Sequence, residues 1–360
     1  MKLSDVCFEM HQGINTVADK VKYYECGTPI LQSKNITNGI LDLEDVRFVN
    51  ENDYNKYKEK YIPHKGDILL SNIGTIGKSL LIEEEKKFLI AWNIFLIKVN
   101  ESKINSKFLN FYFQYLDMSN YYNKYLTGGT VKFINKKTME NIEIPNISLV
   151  NQIEIANKLE KVQKMIDIRK KQIEELDKLI KSQFVEMFEN KNYEKLSGKE
   201  LFSFSSGKFL EASKRLENGV PVYGGNGVAW YTDEPLIDFN TIVIGRVGAY
   251  CGNVKLIKEP VWITDNAIFI KQFKKDVYNI DFLYYMMELV DFSRFAQFSG
   301  QPKITQKPLE EFNYVVPPIE EQIKFSNIVK QIDKQKFEIQ KSLEETQKLQ
   351  ESLMNKYFGE

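Results

Sequence analysis

The sequence predicts an α+β chain built as a tandem duplication. A β-rich head is followed by a long helix, both are then repeated, and the two helices form an antiparallel coiled coil. Three observations carry this. Collinear segments recur at an offset of about 170 to 175 positions, and a repeat at fixed offset outranks local signals. In each copy, short apolar runs punctuated by glycine give way to a long charged segment free of glycine and proline. Within that segment, apolar positions alternate spacings of three and four, a helical period.

The first head, residues 1–145, contains "GDILLSNIGTIGK" at 66–78, and its counterpart in the second head, 191–316, is "NTIVIGRVGAYCGN" at 240–253. Each has a turn-forming start, an apolar strand (Ile68-Leu69-Leu70 or Ile242-Val243-Ile244) and a small polar pair leading to glycine. Gly74 matches Gly248, and Gly77 matches Gly252 after a one-residue insertion. "NIFLIK" at 93–98 matches "NAIFIK" at 266–271, and the aromatic helical stretch "KFLNFYF" at 107–113 matches "DFLYYMM" at 281–287. "GTVKFINKK" at 129–137 resembles "GQPKITQK" at 300–307. The matched order never changes.

The long helices occupy 146–190 and 317–360, each introduced by proline (Pro145; Pro317 and Pro318), a sensible helix-start signal. "NQIEIANKLEKV" at 151–162 matches "EQIKFSNIVKQI" at 321–332, and "SQFVEMF" at 182–188 matches "SLMNKYF" at 352–358. The first seam runs through Leu159, Val162, Ile166, Arg169, Ile173, Leu176, Ile180, Gln183 and Met187. The second has the same phase: Val329, Ile332, Lys336, Ile339, Leu343, Thr346, Gln350, Leu353 and Tyr357. Neither helix can bury its stripe alone. A helix of about 38 residues is a rod of roughly 57 Å, longer than a small domain is wide. Pairing with each other is therefore preferred to separate packing on each head. The polar seam members fix register at some cost in stability or are covered by other subunits; the spacing leaves both open.

Composition excludes several classes. The 49 basic and 49 acidic side chains balance, and each head and helix stays within one charge of neutrality. No basic tail exists, so Lys and Arg must be concentrated on one face if the chain meets a polyanion. The 3 cysteines, Cys7, Cys26 and Cys251, form neither a CxxC pair nor an even set, which argues against a disulfide framework or zinc site and fits a reducing compartment. With only His11 and His64, a multi-histidine metal site is excluded. The N-terminus lacks a signal-peptide layout, and "FLIAWNIFLIKV" at 88–99 is too short to span a bilayer, so a cytoplasmic protein is expected.

Catalytic constellations are missing. There is no GxxxxGK[ST], no GxSxG, no HExxH, no EF-hand loop, no methyl-donor glycine loop and no Asn/Asp-Pro-Pro-aromatic motif. "YGGNG" at 223–227 lacks dinucleotide-site spacing. Glu84-Glu85-Lys86 has a nuclease-like acidic-x-Lys form but sits in a charged run and reads as a solvated loop. The chain is expected to be non-catalytic. Two related but unlike heads on a rod suit the recognition of two separated targets.

These residues resemble the DNA-specificity subunit of type I restriction–modification systems over essentially the whole chain. The resemblance rests on "GDILLSNIGTIGK", "YGGNG", "TIVIGRVGAYCGNV" at 241–254, "WITDNAIFI" at 262–270 and the "P…Q-I…N…L/V" helix starts. It implies that the heads are target-recognition domains, each reading one half of a gapped, asymmetric site in double-stranded DNA. It further implies two adenine-methyltransferase subunits around this chain and motor-nuclease restriction subunits that join to cleave unmodified DNA. No cofactor is expected in this chain; the methyl donor and ATP with Mg would bind the partners, and the target adenine would be flipped in the methyltransferase.

Reading bases requires polar side chains on rigidly held loops, while Lys and Arg on phosphates supply affinity. The candidates in the first head are Asn72, Thr75 and Lys78 in the glycine-flanked loop, and Lys132 after "TGGT" at 127–130. In the second head the matching candidates are Arg246 and Lys303, with Tyr223 and Asn226 from "YGGNG". Asn72 as a turn cap, Arg246 paired with an acid and Tyr223 in a core are the structural alternatives. Asn93 and Asn266 match across the copies, which suits a shared structural role. The competing functional readings are a coiled-coil adaptor with two protein-binding heads and a stand-alone nuclease. If the rod is a ruler, inserting one heptad into a long helix moves the preferred gap between half-sites or abolishes activity. An unchanged gap in methylation mapping would refute the ruler.

Overall fold

The structure, a computed structural model, describes residues 1–37, 39–189, 191–297 and 301–359. The helix boundary expected at 190, and Gly300 at the start of the second glycine-turn match, lie outside the described residues. The chain divides into two compact units, Met1–Arg169 with Ser342–Glu360, and Lys170–Lys341.

In the first unit, β1 (Cys7–Gln12), β2 (Thr28–Leu31), β3 (Arg47–Val49) and α1 (Glu51–Tyr61) are followed by β4 (Ile68–Ser71), β5 (Ser79–Leu81), β6 (Leu89–Ile90) and β7 (Ile94–Val99). Then come α2 (Ser106–Met118), α3 (Lys136–Glu140) and the start of α4 (Leu149–Phe184). One sheet is antiparallel in the order β1-β7-β4-β5; the other runs β3-β2-β6, with β2 and β6 parallel. β4 is buried along its whole length because both sheet faces are covered. The two-residue side-chain period sends Ile68 and Leu70 into the core shared with α2, and Leu69 into the core between the sheets.

The second unit repeats this plan. Its elements are β8 (Glu194–Ser197), α5 (Gly198–Leu201), β9 (Phe202–Ser206), β10 (Val220–Gly224), β11 (Gly227–Thr232), β12 (Thr241–Gly245), β13 (Val254–Ile257), β14 (Trp262–Ile263) and β15 (Ala267–Phe273). They continue with α6 (Ile280–Leu289), α7 (Gln306–Glu311), β16 (Asn313–Val316) and the start of α8 (Ile319–Phe358). The sheet orders β13-β12-β15-β9 and β11-β10-β14 correspond strand for strand to the first unit, and β16 pairs with β8. Ile242 and Ile244 face the helical core, Val243 the other. Gly13 and Gly207 are equivalent: a Cβ on either would fall 2.4 or 2.1 Å from a backbone oxygen, Ala91 O or Thr264 O. The sequence reading missed α1, whose Tyr54, Tyr57 and Tyr61 pack against a small core of their own below an Asn50 cap.

The helix-start motif has a physical reason. Gln152, 1% exposed, accepts from Asn105 N at 2.9 Å and donates to Ile147 O at 2.8 Å. Gln322, fully buried, accepts from Asn279 N at 2.9 Å and donates to Val277 O and Pro317 O, both at 2.8 Å. Asn105 and Asn279 in turn cap α2 and α6. One buried amide thus ties each long helix to the aromatic helix of its own copy.

Each unit also contains the far end of the other copy's helix. In the first, Met354 and Phe358 of α8 join the core with Ile155, Ala156 and Leu159 of α4, and the Phe358 ring lies 5.3 Å from Phe108 and 5.5 Å from Tyr112. In the second, Phe184 and Phe188 join Phe325 and Val329 of α8; the Phe188 ring lies 5.1 Å from Phe282 and 5.4 Å from Phe325. Phe188 belongs to a single π-helical turn, Val185–Glu189, beyond α4.

Along the stripe, Leu159, Val162, Ile166 and Leu343 are buried and Leu353 half-buried in the first unit. In the second, Val329 and Ile332 are buried and Ile173, Leu176, Ile180 and Ile339 half-buried. Its polar members are paired: Gln350 donates to Gln163 Oε1 at 2.7 Å and Arg169 to Thr346 Oγ1 in the first unit, and Lys336 bonds Asp177 in the second. In both units the numbering rises along one helix as it falls along the other, so the segments are antiparallel. Replacing Gln322 by Leu strands Asn279 N and two carbonyls in a dry site, so full-chain unfolding in urea is expected to lose about 3 kcal/mol. A loss below about 0.5 kcal/mol would refute the clamp.

Candidate nucleic-acid interface

In the first unit, β4 ends at Ser71 and the chain turns through Gly74 and Gly77 at positive φ (81° and 89°) before β5. Ser71 Oγ accepts from Lys78 N at 2.9 Å, and Gly77 N bonds Ser71 O at 2.9 Å, closing the loop. A second segment docks against it: Ile134 N donates to Asn72 O at 3.0 Å and Ile73 bridges Phe133, which itself pairs with Thr127. In the second unit, Gly252 N bonds Gly245 O at 2.8 Å, Ile304 N donates to Arg246 O at 2.9 Å, and Val247 bridges Lys303, which pairs with Gln297. The same two-part frame is therefore built twice. Asn93 and Asn266 serve it identically, their carbonyls accepting from Asn72 N at 3.2 Å and Arg246 N at 2.9 Å.

The frame corrects one sequence match. Lys132 and Lys303 look equivalent because both follow a glycine-rich turn. The bridges instead make Phe133 the counterpart of Lys303, one residue along, and in extended pairing one residue exchanges the faces.

The candidates fare differently. Asn72 is 1% exposed, so its side chain does not reach the surface. Thr75 is exposed on the loop. Lys78 is half-buried and paired with Asp117 at 2.7 Å. Lys132 is exposed, its Nζ bonded to Gly128 O at 3.0 Å. Arg246, half-buried, lies at the frame's junction: Nη1 donates to Asp265 O at 3.3 Å, while Nε is buried with no hydrogen-bond partner among the described residues. Lys303 is exposed beside it. Asn226 is exposed on the β10–β11 turn, whose Gly225 brings a virtual Cβ within 3.6 Å of Gly245 Cα and Val247 O, so this turn also borders the frame. Tyr223 is half-buried against the core between the sheets, and burial raises its hydroxyl above the ordinary range. Residues passed over by the sequence reading are Val131, 61% exposed, Tyr250, 47% exposed, and exposed Gln301.

Among the described residues no group of three His, Cys, Asp or Glu could hold a metal ion. Glu85 bonds His64 and Lys65 N, the latter doing most to hold its carboxyl below the usual range. Burial pushes the Cys7 thiol up to about 12. No helix among the described residues is long and apolar enough to cross a membrane.

The family described as type I restriction modification DNA specificity domain matches residues 1–178 and again 190–350. The chain belongs to this family. Each match contains one copy of the frame. The chain is 25% identical over 404 residues to the type I restriction enzyme MjaVIII specificity subunit of Methanocaldococcus jannaschii, covering 94% of this chain and 90% of that one. It is 30% identical over 139 residues to the type I restriction enzyme EcoprrI specificity subunit of Escherichia coli, a match covering 37% of this chain and 34% of that one. The fold resembles the crystal structure of a type I restriction–modification S subunit from M. genitalium, with a TM-score of 0.63, 20% identity, and coverage of 100% of this chain and 96% of that one. The specificity subunit is the non-catalytic component of such enzymes, in keeping with the absence of catalytic motifs from this sequence.

Gly248 sits at φ 79°, where a side chain is strained, and a Cβ there would lie 3.2 Å from Gln301 Nε2. Gly248→Ala is expected to cost about 1 kcal/mol or more in unfolding measurements of the full chain. Unchanged stability would mean the loop does not hold this conformation.

Proposed function

We propose that each unit reads one half of a gapped, bipartite site in double-stranded DNA through its two-part frame. The carrying observation is that the same backbone frame recurs with different side chains: exposed Thr75 and Lys132 on one copy, exposed Asn226 and Lys303 with half-buried Arg246 on the other. A shared scaffold with unlike surfaces is what an asymmetric target requires. Lys78 and Tyr223 border the frames, and Asn72 holds its loop through its backbone N–H and carbonyl. Arg246 suits guanine and Asn226 adenine by paired hydrogen bonds in the major groove, while the lysines suit phosphates.

In this reading the domains are two target-recognition heads, 1–145 and 191–316, and two spacer helices, 146–190 and 317–360. The helices pair as an antiparallel coiled coil that sets the spacing of the half-sites. The antiparallel contacts Gln163–Gln350 and Lys336–Asp177, each within its own unit, support this. The complex comprises two adenine-methyltransferase subunits docked on this chain and motor-nuclease restriction subunits, working in the cytoplasm. The methyl donor and ATP with Mg belong to those partners. A chain with no net charge adds little long-range attraction for DNA, so the partners must contribute it.

The experiment is to co-express the chain with its methyltransferase and map methylated adenines. A gapped asymmetric motif is expected, and exchanging residues 1–145 for another head should alter only one half. Methylation without a gapped motif, or alteration of both halves, would overturn the assignment.

A further inference from the structure

The bridged segments that close the two frames, 131–133 and 301–303, differ in chemistry at equivalent positions. Since Ile73 bridges Phe133 and Val247 bridges Lys303, the equivalence runs Val131 to Gln301 and Phe133 to Lys303. In the first unit both positions are apolar and exposed, Val131 at 61% and Phe133 at 36%. Neither side chain belongs to a hydrophobic core of its unit, and the Phe133 ring lies against Gly128 with part of it left in water. In the second unit both are polar and exposed. The Gln301 amide makes no side-chain hydrogen bond to any described residue and lies over Gly248, where the missing Cβ leaves it room. Backbone bonds hold its neighbours: Gly248 N donates to Pro302 O at 3.0 Å and Ile304 N to Arg246 O at 2.9 Å.

We infer that these equivalent segments are base-reading edges that assign different chemistry to the two half-sites. Val131 and Phe133 read a thymine methyl group by apolar contact, and Gln301 reads an adenine through its amide. Both are major-groove features. Lys303 beside Gln301 supplies a phosphate or a guanine contact. This rests on the proposed reading of bipartite DNA, and it adds which residues discriminate and which base each half-site must contain.

The test uses the full methyltransferase complex with Gln301→Val, Gln301→Ala and Val131→Gln, mapping methylated adenines for each. The expected result for either Gln301 variant is a loss of about 10- to 100-fold in preference for adenine at one position of one half-site. Val131→Gln is expected to lose preference for thymine at one position of the other half. The untouched half-site in each variant reports that the complex is folded. If the unmodified complex gives a gapped motif and all three variants keep it unchanged, the reading-edge inference fails while the specificity reading stands. It also fails if the Gln301 variants alter the same half as Val131→Gln. If the unmodified complex yields no gapped motif, both fail.

Discussion

Neither long helix can exist as a free rod: each carries an apolar stripe that water will not tolerate and that its own copy covers only at the start. The structure meets this constraint by exchange. Phe184 and Phe188 at the end of the first helix lie in the core with Phe282 and Phe325, and Met354 and Phe358 at the end of the second lie in the core with Phe108 and Leu159. Each compact unit is therefore made of one head, the start of its own helix and the end of the other. Removing either helix end opens an aromatic cluster, which is among the costliest changes to a core.

From that core the chain of dependence runs outward. Gln152 and Gln322 fix each helix start to the cap of α2 or α6. Those aromatic helices support one face of the central strands β4 and β12, whose alternate side chains fill a second core on the other face. The loops leaving β4 and β12 turn through left-handed glycines and receive a bridged segment from elsewhere in the head. The exposed residues at that junction are thus held by backbone bonds, and their identities can change without disturbing the frame. A duplicated scaffold with interchangeable edge chemistry is a physical basis for specificity that varies while the fold does not.

Much of this was legible in the sequence because periodicity survives divergence. The stripe residues Leu159 to Ile180 and Val329 to Leu353 read as helical, and all of them are buried or half-buried. Gly74 and Gly248 read as turn residues, and both have positive φ. The site was less legible. Asn72 has the composition of a base reader but is buried, since residue type says nothing about which side of a loop it faces. Lys132 and Lys303 were matched by letter, whereas Val247 bridges Lys303 as Ile73 bridges Phe133. Gln301 and Val131 carried no signal beyond a position near glycine.

By itself, then, the sequence determined the duplication, the order of head and helix in each copy, the helical stripe and the family, because each is encoded in spacing or in a collinear set of short motifs. Only the tertiary structure decided which helix end completes which core, which loop residues reach water and which side chains occupy equivalent places in the two frames. Those depend on backbone pairing between segments far apart in the chain. Such pairing is set by one-residue registers that local composition does not record.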